Sequence, residues 1–539
     1  MRKYFSWFLN YYIYIIGIIV LCIFAWLNSN VLNLSIMHSD DYVRYYDLIT
    51  LYKAILTKSW KLLVPDVGYG YPFTIINFFA ALPFLIINNE QLILFFPRFV
   101  LSFFAAGSLF IIYKILKRDQ IKITSKSNIS ILFCILIICF MPAFFSQGLK
   151  IYPQHLMGFF ILLSSFLLIK DNFEFKKYYW LSSIFAGIAI SIKIEAIFYL
   201  LTYIFYSFAF LYLNKFNFKS IIKAFLSLIT TMFISFAIFV VLNPYLLTSL
   251  GREKWYAAFL VGKYNCTIKI TLLQKIFKVI GGNYYNPILY LIVIISLLWN
   301  FFSCYRKKEF NFYSYLSPFI VFSQFYMLLT VNKNWPNYYL VSMMLSVIGI
   351  FSILKLLEKK TLYYIIFVIF ILCLQIIPIK NTISIFVGRY NDLAVFERST
   401  GQLVKKDKLL LFAKNQAIQI KPYIKDVIAK KDSQIFLMSA WTNFDFISIG
   451  IPYIREIYSP LLPDLYLSKK TFRHNIPPVE IIILKKTEYY FNDMPVSPEE
   501  QKSRLLVRSW LRNNNGDFVL VKKTDYLYVF KKNPKRKNR

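Results

Sequence analysis

The stretch YYIYIIGIIVLCIFAWLNSNVLNLSIMHSDDYVRYYDL, residues 11–48, sets an apolar run directly ahead of two adjacent aspartates, Asp40 and Asp41. The run at 11–27 is long enough to cross a bilayer, which takes roughly 17–25 apolar residues as a helix. It carries no small-residue cleavage site, so it reads as a retained helix and not as a removed signal peptide. A polar lip with His38 and the acidic pair follows, and then a tyrosine-rich amphipathic segment.

The same texture recurs along the chain. Hydrophobic residues make up 58% of the 539, and the mean hydropathy is +0.53, beyond what soluble globules reach. Further apolar runs lie at 72–87, 92–113, 129–145, 156–169, 181–192, 196–213, 221–242, 288–302, 313–329, 338–357 and 363–379. From residue 381 on, charges appear every few residues and no run is long enough to span. The sequence therefore predicts an α-helical polytopic membrane domain over 1–380 and a soluble domain over 381–539. In the latter, QIFLM, VEIIILKK, DFVLVKK and DYLYVFKK read as strands. They alternate with the amphipathic runs KNQAIQIKPYIKDVIAKK and PEEQKSRLLVRSWLRN, which is the pattern of a small α/β domain. It shows neither a phosphate loop nor metal-ligand spacing.

The formal charge of +35 does not point to nucleic acid, because most lysines sit in short clusters between apolar runs. That arrangement orients membrane helices. With the Met-Arg-Lys start inside and all twelve runs crossing, KILKRDQIKITSK at 114–126 falls outside. The run at 72–87 is interrupted by Asn77 and Pro83. If it is re-entrant or interfacial, that loop and KDNFEFKKYY, NKFNFKSIIK, CYRKKEF and LKLLEKK all fall inside. Eleven crossings follow, with the C-terminal domain outside. The basic end KKNPKRKNR reads as a solvated tail, since long domains translocate largely regardless of charge. Six cysteines are present; Cys22, Cys134, Cys139 and Cys373 lie inside apolar runs and none lies beyond 381. No disulfide framework, zinc site or internal repeat is indicated.

This topology gathers the unexplained polar features on one face. They are His38, Asp40 and Asp41; GYGYP at 68–72; Arg98 at the outer start of its helix; YPQH at 152–155, with His155; Lys193 and Glu195 in GIAISIKIEAIFYL; NPYLL at 243–247; and VNKNWPNYY at 331–339, with Lys333 and Tyr339. Each has an ordinary alternative. A loop carboxylate pair is commonly just solvated, Asp47 reads as a solvated helix face, and Arg98 and Lys193 are near enough to the interface to snorkel. Two adjacent aspartates resist ionising together, however, which tunes a carboxylate for proton transfer. A cationic rim stabilises charge growing on a departing lipid phosphate. Together these suit glycosyl transfer from a polyprenyl-phosphate sugar.

These landmarks resemble the GT-C superfamily of membrane glycosyltransferases over about residues 10–350. The likeness is to bacterial relatives of protein O-mannosyltransferases and of lipid A aminoarabinose or galacturonic acid transferases. It is carried, in order, by Asp40-Asp41, PRFVLSFFAAGSLFIIYKILKR, GIAISIKIEA, NPYLL and KNWPNYYL. The resemblance implies that the first acidic residue is the base acting on the acceptor, here Asp40 with Asp41 as its neighbour. Arg98, Lys193 and Lys333 would then face the donor phosphate, with His38, His155, Glu195 and Tyr339 as further substrate contacts. Where many relatives carry a lysine before a double proline, this chain reads GYGYPF. Where they carry an aspartate near the fifth helix, it has Gln154-His155.

The implied partners are a polyprenyl-phosphate sugar, a lipid, glycan or protein acceptor, and membrane lipids, with no nucleic acid, cofactor or metal. A transporter or flippase, which would favour internal repeats and mid-bilayer polar residues, is one alternative. A polymerase or ligase for lipid-linked glycans is another.

Overall fold

The computed structural model describes residues 2–30, 39–58, 69–118, 125–249, 251–252, 255, 271–330 and 336–390, and short segments between 404 and 533. The chain forms two compact units. One comprises Met1–Leu32, Arg44–Tyr256 and Ile270–Val387; the other comprises Asn33–Val43, Ala257–Lys269 and Gly388–Arg539.

The first unit is helical, because a backbone in hydrocarbon must satisfy its own N–H and C=O groups. In chain order its helices are α1 (Arg2–Ser29), α2 (Ser39–Leu56), α3 (Tyr71–Ile86), α4 (Glu90–Arg118), α5 (Ser125–Cys139), α6 (Pro142–Gly148), α7 (Gln154–Asp171) and α8 (Lys177–Ile192). They continue with α9 (Leu201–Leu213), α10 (Phe218–Leu242), α11 (Pro287–Lys307), α12 (Tyr313–Thr330), α13 (Leu340–Leu357), α14 (Thr361–Leu374) and α15 (Ile376–Phe386). The first residues of α2 belong to the second unit. Among the described residues, seven helices are long and apolar enough to cross a membrane, or nine if each bent pair is one span. The pair α5–α6 bends by 56°; Pro142, which opens α6, has no N–H with which to continue the helical ladder. The pair α14–α15 bends by 55°.

Contacts within this unit draw the basic loops to one end. Tyr315, at the start of α12, lies 5.0 Å from Tyr206 in the middle of α9 and 5.8 Å from Phe173 in the α7–α8 loop. Arg118 at the end of α4 is within electrostatic reach of the same tyrosine. Tyr212, at the end of α9, meets Tyr305 and Phe310 of the α11–α12 connection at 5.2 and 5.4 Å. Lys126 at the start of α5 donates to the Glu358 carbonyl at 3.1 Å and the Thr361 hydroxyl at 2.8 Å, which joins the α13–α14 turn to it. The α7–α8 loop is itself held by buried Asp171, which accepts the amides of Phe175 and Lys176 at 2.8 Å and the Tyr206 hydroxyl at 2.6 Å.

The short apolar segment is one helix, α3, despite Pro83. At 16 residues and about 1.5 Å per residue, it falls short of the ~30 Å hydrocarbon core. Its start is tied to the end of α8, where the Gly70 amide donates to the Ile192 carbonyl at 2.9 Å. The next helix, α4, ends at the opposite end of the unit beside Tyr315. The passage from one end to the other is therefore made by α4.

In the second unit, β1 (Arg389–Tyr390) pairs antiparallel with β2 (Val404–Lys405). A five-stranded sheet has the order β4-β3-β5-β7-β6, from β3 (Gln434–Leu437), β4 (Glu456–Tyr458), β5 (Val479–Lys485), β6 (Phe518–Lys523) and β7 (Leu527–Lys532). β3 runs parallel to β4 and β5; β7 runs antiparallel to β5 and β6. Each strand expected from the sequence has its counterpart, and β1, β2 and β4 add three too short to leave a pattern. Of the expected helices, that over 414–431 is helical at 414–415 and 418–423, and that over 498–513 lies outside the described residues.

Candidate active site

The α8–α9 hairpin is interrupted at its apex. Lys193 is extended (φ −153°, ψ 123°), and a 3-10 turn, Ile194–Leu200, leads from it into α9. The break turns the Lys193 side chain inward, where it is 6% exposed and its ammonium pairs with Glu195 at 2.9 Å. Three tyrosine rings surround that ammonium: Tyr338 at 4.9 Å, Tyr152 at 5.5 Å and Tyr69 at 5.7 Å. Each ring face attracts a cation by about 0.5–2 kcal/mol, most when water is excluded.

Each ring is fixed by another of the sequence landmarks. Tyr69 and Tyr152 meet edge to face at 5.3 Å. The Tyr152 hydroxyl accepts from the Asn337 side chain at 3.1 Å, and Gln154 donates to the Asn337 carbonyl at 3.1 Å. These bonds tie the start of α7 to the 3-10 turn Pro336–Tyr339. Tyr69 is placed by Gly70, where an added Cβ would lie 1.5 Å from the Ser191 carbonyl oxygen; only glycine permits so close an approach. Asn243, which opens NPYLL, accepts the Tyr71 amide at 2.8 Å and donates to the Ser191 carbonyl at 3.3 Å. Four landmarks far apart in sequence thus converge on Lys193.

A second ion pair also stands against Tyr69. The Arg44 guanidinium lies 4.4 Å from the ring and pairs with Asp47 at 2.6 Å. Arg44 is buried and Asp47 is mostly so. The expectation that Asp47 is a solvated helix face is therefore corrected: α2 buries Tyr45, Leu48, Leu51 and Ala54, and Asp47 comes in beside them to neutralise Arg44.

The remaining expected residues make no ion pair or hydrogen bond with Lys193 among the described residues. Arg98 is fully buried in α4, directly after Pro97. His155 is buried with its ring edge-on to Phe24 and Phe144, and its Nε2 is 2.9 Å from the Phe144 carbonyl. That is the packing of a helix-end core residue. Tyr339 is buried, and its hydroxyl has no hydrogen-bond partner among the described residues. Asp40 and Asp41 occupy the first turn of α2, not a loop, and belong to the second unit; acidic residues suit the positive end of a helix dipole. His38 and Lys333 lie outside the described residues.

Sequence reasoning missed Arg44 and two buried lysines, Lys150 and Lys275. Lys275 sits in the π-helical turn Lys275–Ile280, and its ammonium donates to the Leu328 carbonyl near the end of α12. Burial lowers its pKa. Burial also pushes the phenol of Tyr245, in the 3-10 turn Pro244–Leu247, above its usual range, so it stays neutral. The signal for these lysines was present: a basic residue kept at the end away from the basic clusters runs against the rule that orients the helices. Among the described residues, no group of three or more His, Cys, Asp or Glu could hold a metal ion.

No protein-family model matches the sequence, and no curated protein does. Solved structures, however, share its fold. The crystal structure of ArnT from Cupriavidus metallidurans bound to undecaprenyl phosphate matches with a TM-score of 0.53, covering 96% of this chain and 97% of that one at 9% identity. Its apo state gives the same TM-score at 8% identity. The oligosaccharyltransferase AglB from Archaeoglobus fulgidus, solved with an inhibitory peptide and a dolichol-phosphate, covers 89% of this chain and 70% of that one at 11% identity. Its TM-score of 0.48 is too low to carry an argument. At these identities the likeness is one of fold.

Proposed function

We propose that the protein is an integral membrane glycosyltransferase. It moves a sugar from a polyprenyl-phosphate-linked donor to a lipid, glycan or protein acceptor at the membrane face that carries Lys193. The observation that supports this best is the convergence of GYGYP, YPQH, IKIEA, NPYLL and the Asn337–Tyr338 turn on one desolvated cation. It stands at the end of the helical unit away from the basic loops. The shared fold adds to it, since the ArnT structure holds undecaprenyl phosphate.

In this reading the acceptor hydroxyl attacks the anomeric carbon while the bond from that carbon to the phosphate oxygen breaks. Asp40, with Asp41 beside it in sequence, takes the hydroxyl proton. The electron pair of the broken bond leaves on the polyprenyl phosphate, where Lys193 stabilises the added charge, with Arg98 and Lys333 as further cations. Glu195 holds the ammonium until a phosphate takes its place, and His38, His155 and Tyr339 shape the surrounding pocket. The membrane domain (1–380) crosses eleven times, with the basic loops in the cytoplasm, and the α/β domain (381–539) is periplasmic in a bacterial inner membrane.

The test is release of polyprenyl phosphate from a polyprenyl-phosphate sugar by the purified protein in lipid vesicles supplied with envelope extract. Turnover of a nucleotide sugar with no lipid carrier overturns the proposal.

A further inference from the structure

At the end of the helical unit opposite Lys193, the turn from α9 to α10 forms an open surface groove of about 630 Å³. Its lining includes Phe210, Asn214, Asn217, Phe218, Lys219 and Lys223. We infer that the groove binds the headgroup of an anionic phospholipid from the leaflet on the basic side of the membrane.

The chemistry of the lining selects an anion. Two lysines contribute and no carboxylate does. Of the acids of the neighbouring α7–α8 loop, Asp171 is spent on backbone amides and the Tyr206 hydroxyl; Glu174 pairs with Lys176 at 2.8 Å and is within electrostatic reach of Lys223, so it offsets part but not all of the two lysines' charge. Lys223 is aimed by its surroundings. Its ammonium lies 5.4 Å from the rings of both Phe175 and Phe210, and it donates to the Glu174 carbonyl at 3.0 Å. Lys219 is exposed and makes no hydrogen bond or ion pair among the described residues. The contrast is Lys126, in another basic loop, which is committed to Glu358 and Thr361.

Position selects a lipid over a free anion. α10 has 25 residues, so it is about 37 Å long at 1.5 Å per residue and exceeds the ~30 Å hydrocarbon core. Lys219 and Lys223 fall in its first two turns, at headgroup depth. The Asn217 side chain accepts the Ser220 amide at 2.8 Å, while the Phe218 and Lys219 amides are helix-start donors that no carbonyl of the helix can reach. Beyond the groove the helix presents bare apolar side chains, with Phe218 76%, Phe225 61% and Phe233 71% exposed. Acyl chains can lie along that face while the phosphate enters the groove. Basic sites of this kind on the cytoplasmic side recognise anionic headgroups.

Native mass spectrometry of the full chain released from vesicles of mixed phosphatidylglycerol and phosphatidylcholine tests the site. Phosphatidylglycerol should be retained over phosphatidylcholine. K219Q/K223Q should weaken that retention about thirtyfold, and K359Q/K360Q, in a different basic loop, should not. Added inorganic phosphate should leave retention unchanged. A photoreactive phosphatidylglycerol should label the wild-type protein chiefly within 210–223, a readout that needs no variant. Equal retention of the two lipids, equal loss in both double variants, displacement by phosphate, or labelling spread evenly along α10 would each overturn the inference.

Discussion

Asn243 accepts the backbone amide of Tyr71 at 2.8 Å across 172 residues of sequence. Through this one side chain the end of α10 fixes the turn that carries Tyr69 to Lys193. Asn243→Leu leaves the Tyr71 amide and the Ser191 carbonyl without that partner, which costs about 1–3 kcal/mol for each buried group. Gly70→Ala should cost more, since its Cβ would meet the Ser191 oxygen at 1.5 Å and the backbone must shift. Thermal unfolding of the purified variants measures both, and unchanged midpoints would refute this role for the turn.

Lys193→Met keeps the apolar stem and removes the charge. Transfer from a polyprenyl-phosphate sugar should fall about 10²–10³-fold, the usual loss of one charge-stabilising group. Lys193→Arg should restore little of it, because a planar guanidinium does not replace a compact ammonium among three rings. Steady-state kcat/KM decides, and full activity in Lys193→Met removes the residue from the site.

The acidic residues of α2 should separate by readout. Asp40→Asn should reduce transfer by about 10²–10⁴-fold, as expected for loss of a general base, with unfolding unchanged; Asp41→Asn should reduce it less. Asp47→Asn should instead lower stability by about 1–3 kcal/mol, because the buried Arg44 loses its charged partner. Equal unfolding midpoints for all three variants would contradict the structural role of the Arg44–Asp47 pair.

Lys275 gives a pH dependence of known sign. Burial holds its folded-state pKa below the ordinary 10.5. Between the lowered value and 10.5 the unfolded chain binds a proton that the folded chain does not, so stability rises with pH in that window. Lys275→Met should flatten the rise, as measured by unfolding midpoints across alkaline pH. A rise that persists in the variant assigns it to another group.

A periplasm-active reporter fused near Arg539 should be active and one fused near Arg118 inactive, because the proposed topology puts the five basic loops in the cytoplasm. The reverse pattern inverts the topology and moves Lys193 to the wrong compartment.

Much of the fold was legible because bilayer insertion acts on each segment separately. Hydropathy alone marks α1, α4, α10 and α13, and the charge clusters mark which ends belong together. The short run at 72–87 stood out by its length and by Pro83. The strands at Gln434–Leu437 and Val479–Lys485 announced themselves as apolar runs between polar stretches. Glu456–Tyr458 is too brief to do so, and it became a strand only through a neighbour to pair with.

The sequence by itself determined which segments meet hydrocarbon and where the basic clusters fall. Those properties depend on each segment's exchange with solvent and lipid. The tertiary structure decided what the landmarks do to one another. It set Lys193 among Tyr69, Tyr152 and Tyr338, gave Arg44 its carboxylate in Asp47, and turned His155 into the packing of Phe24 and Phe144. A residue's partner is chosen by the packing of helices far apart in the chain, and neither the spacing nor the composition of a single segment carries that information.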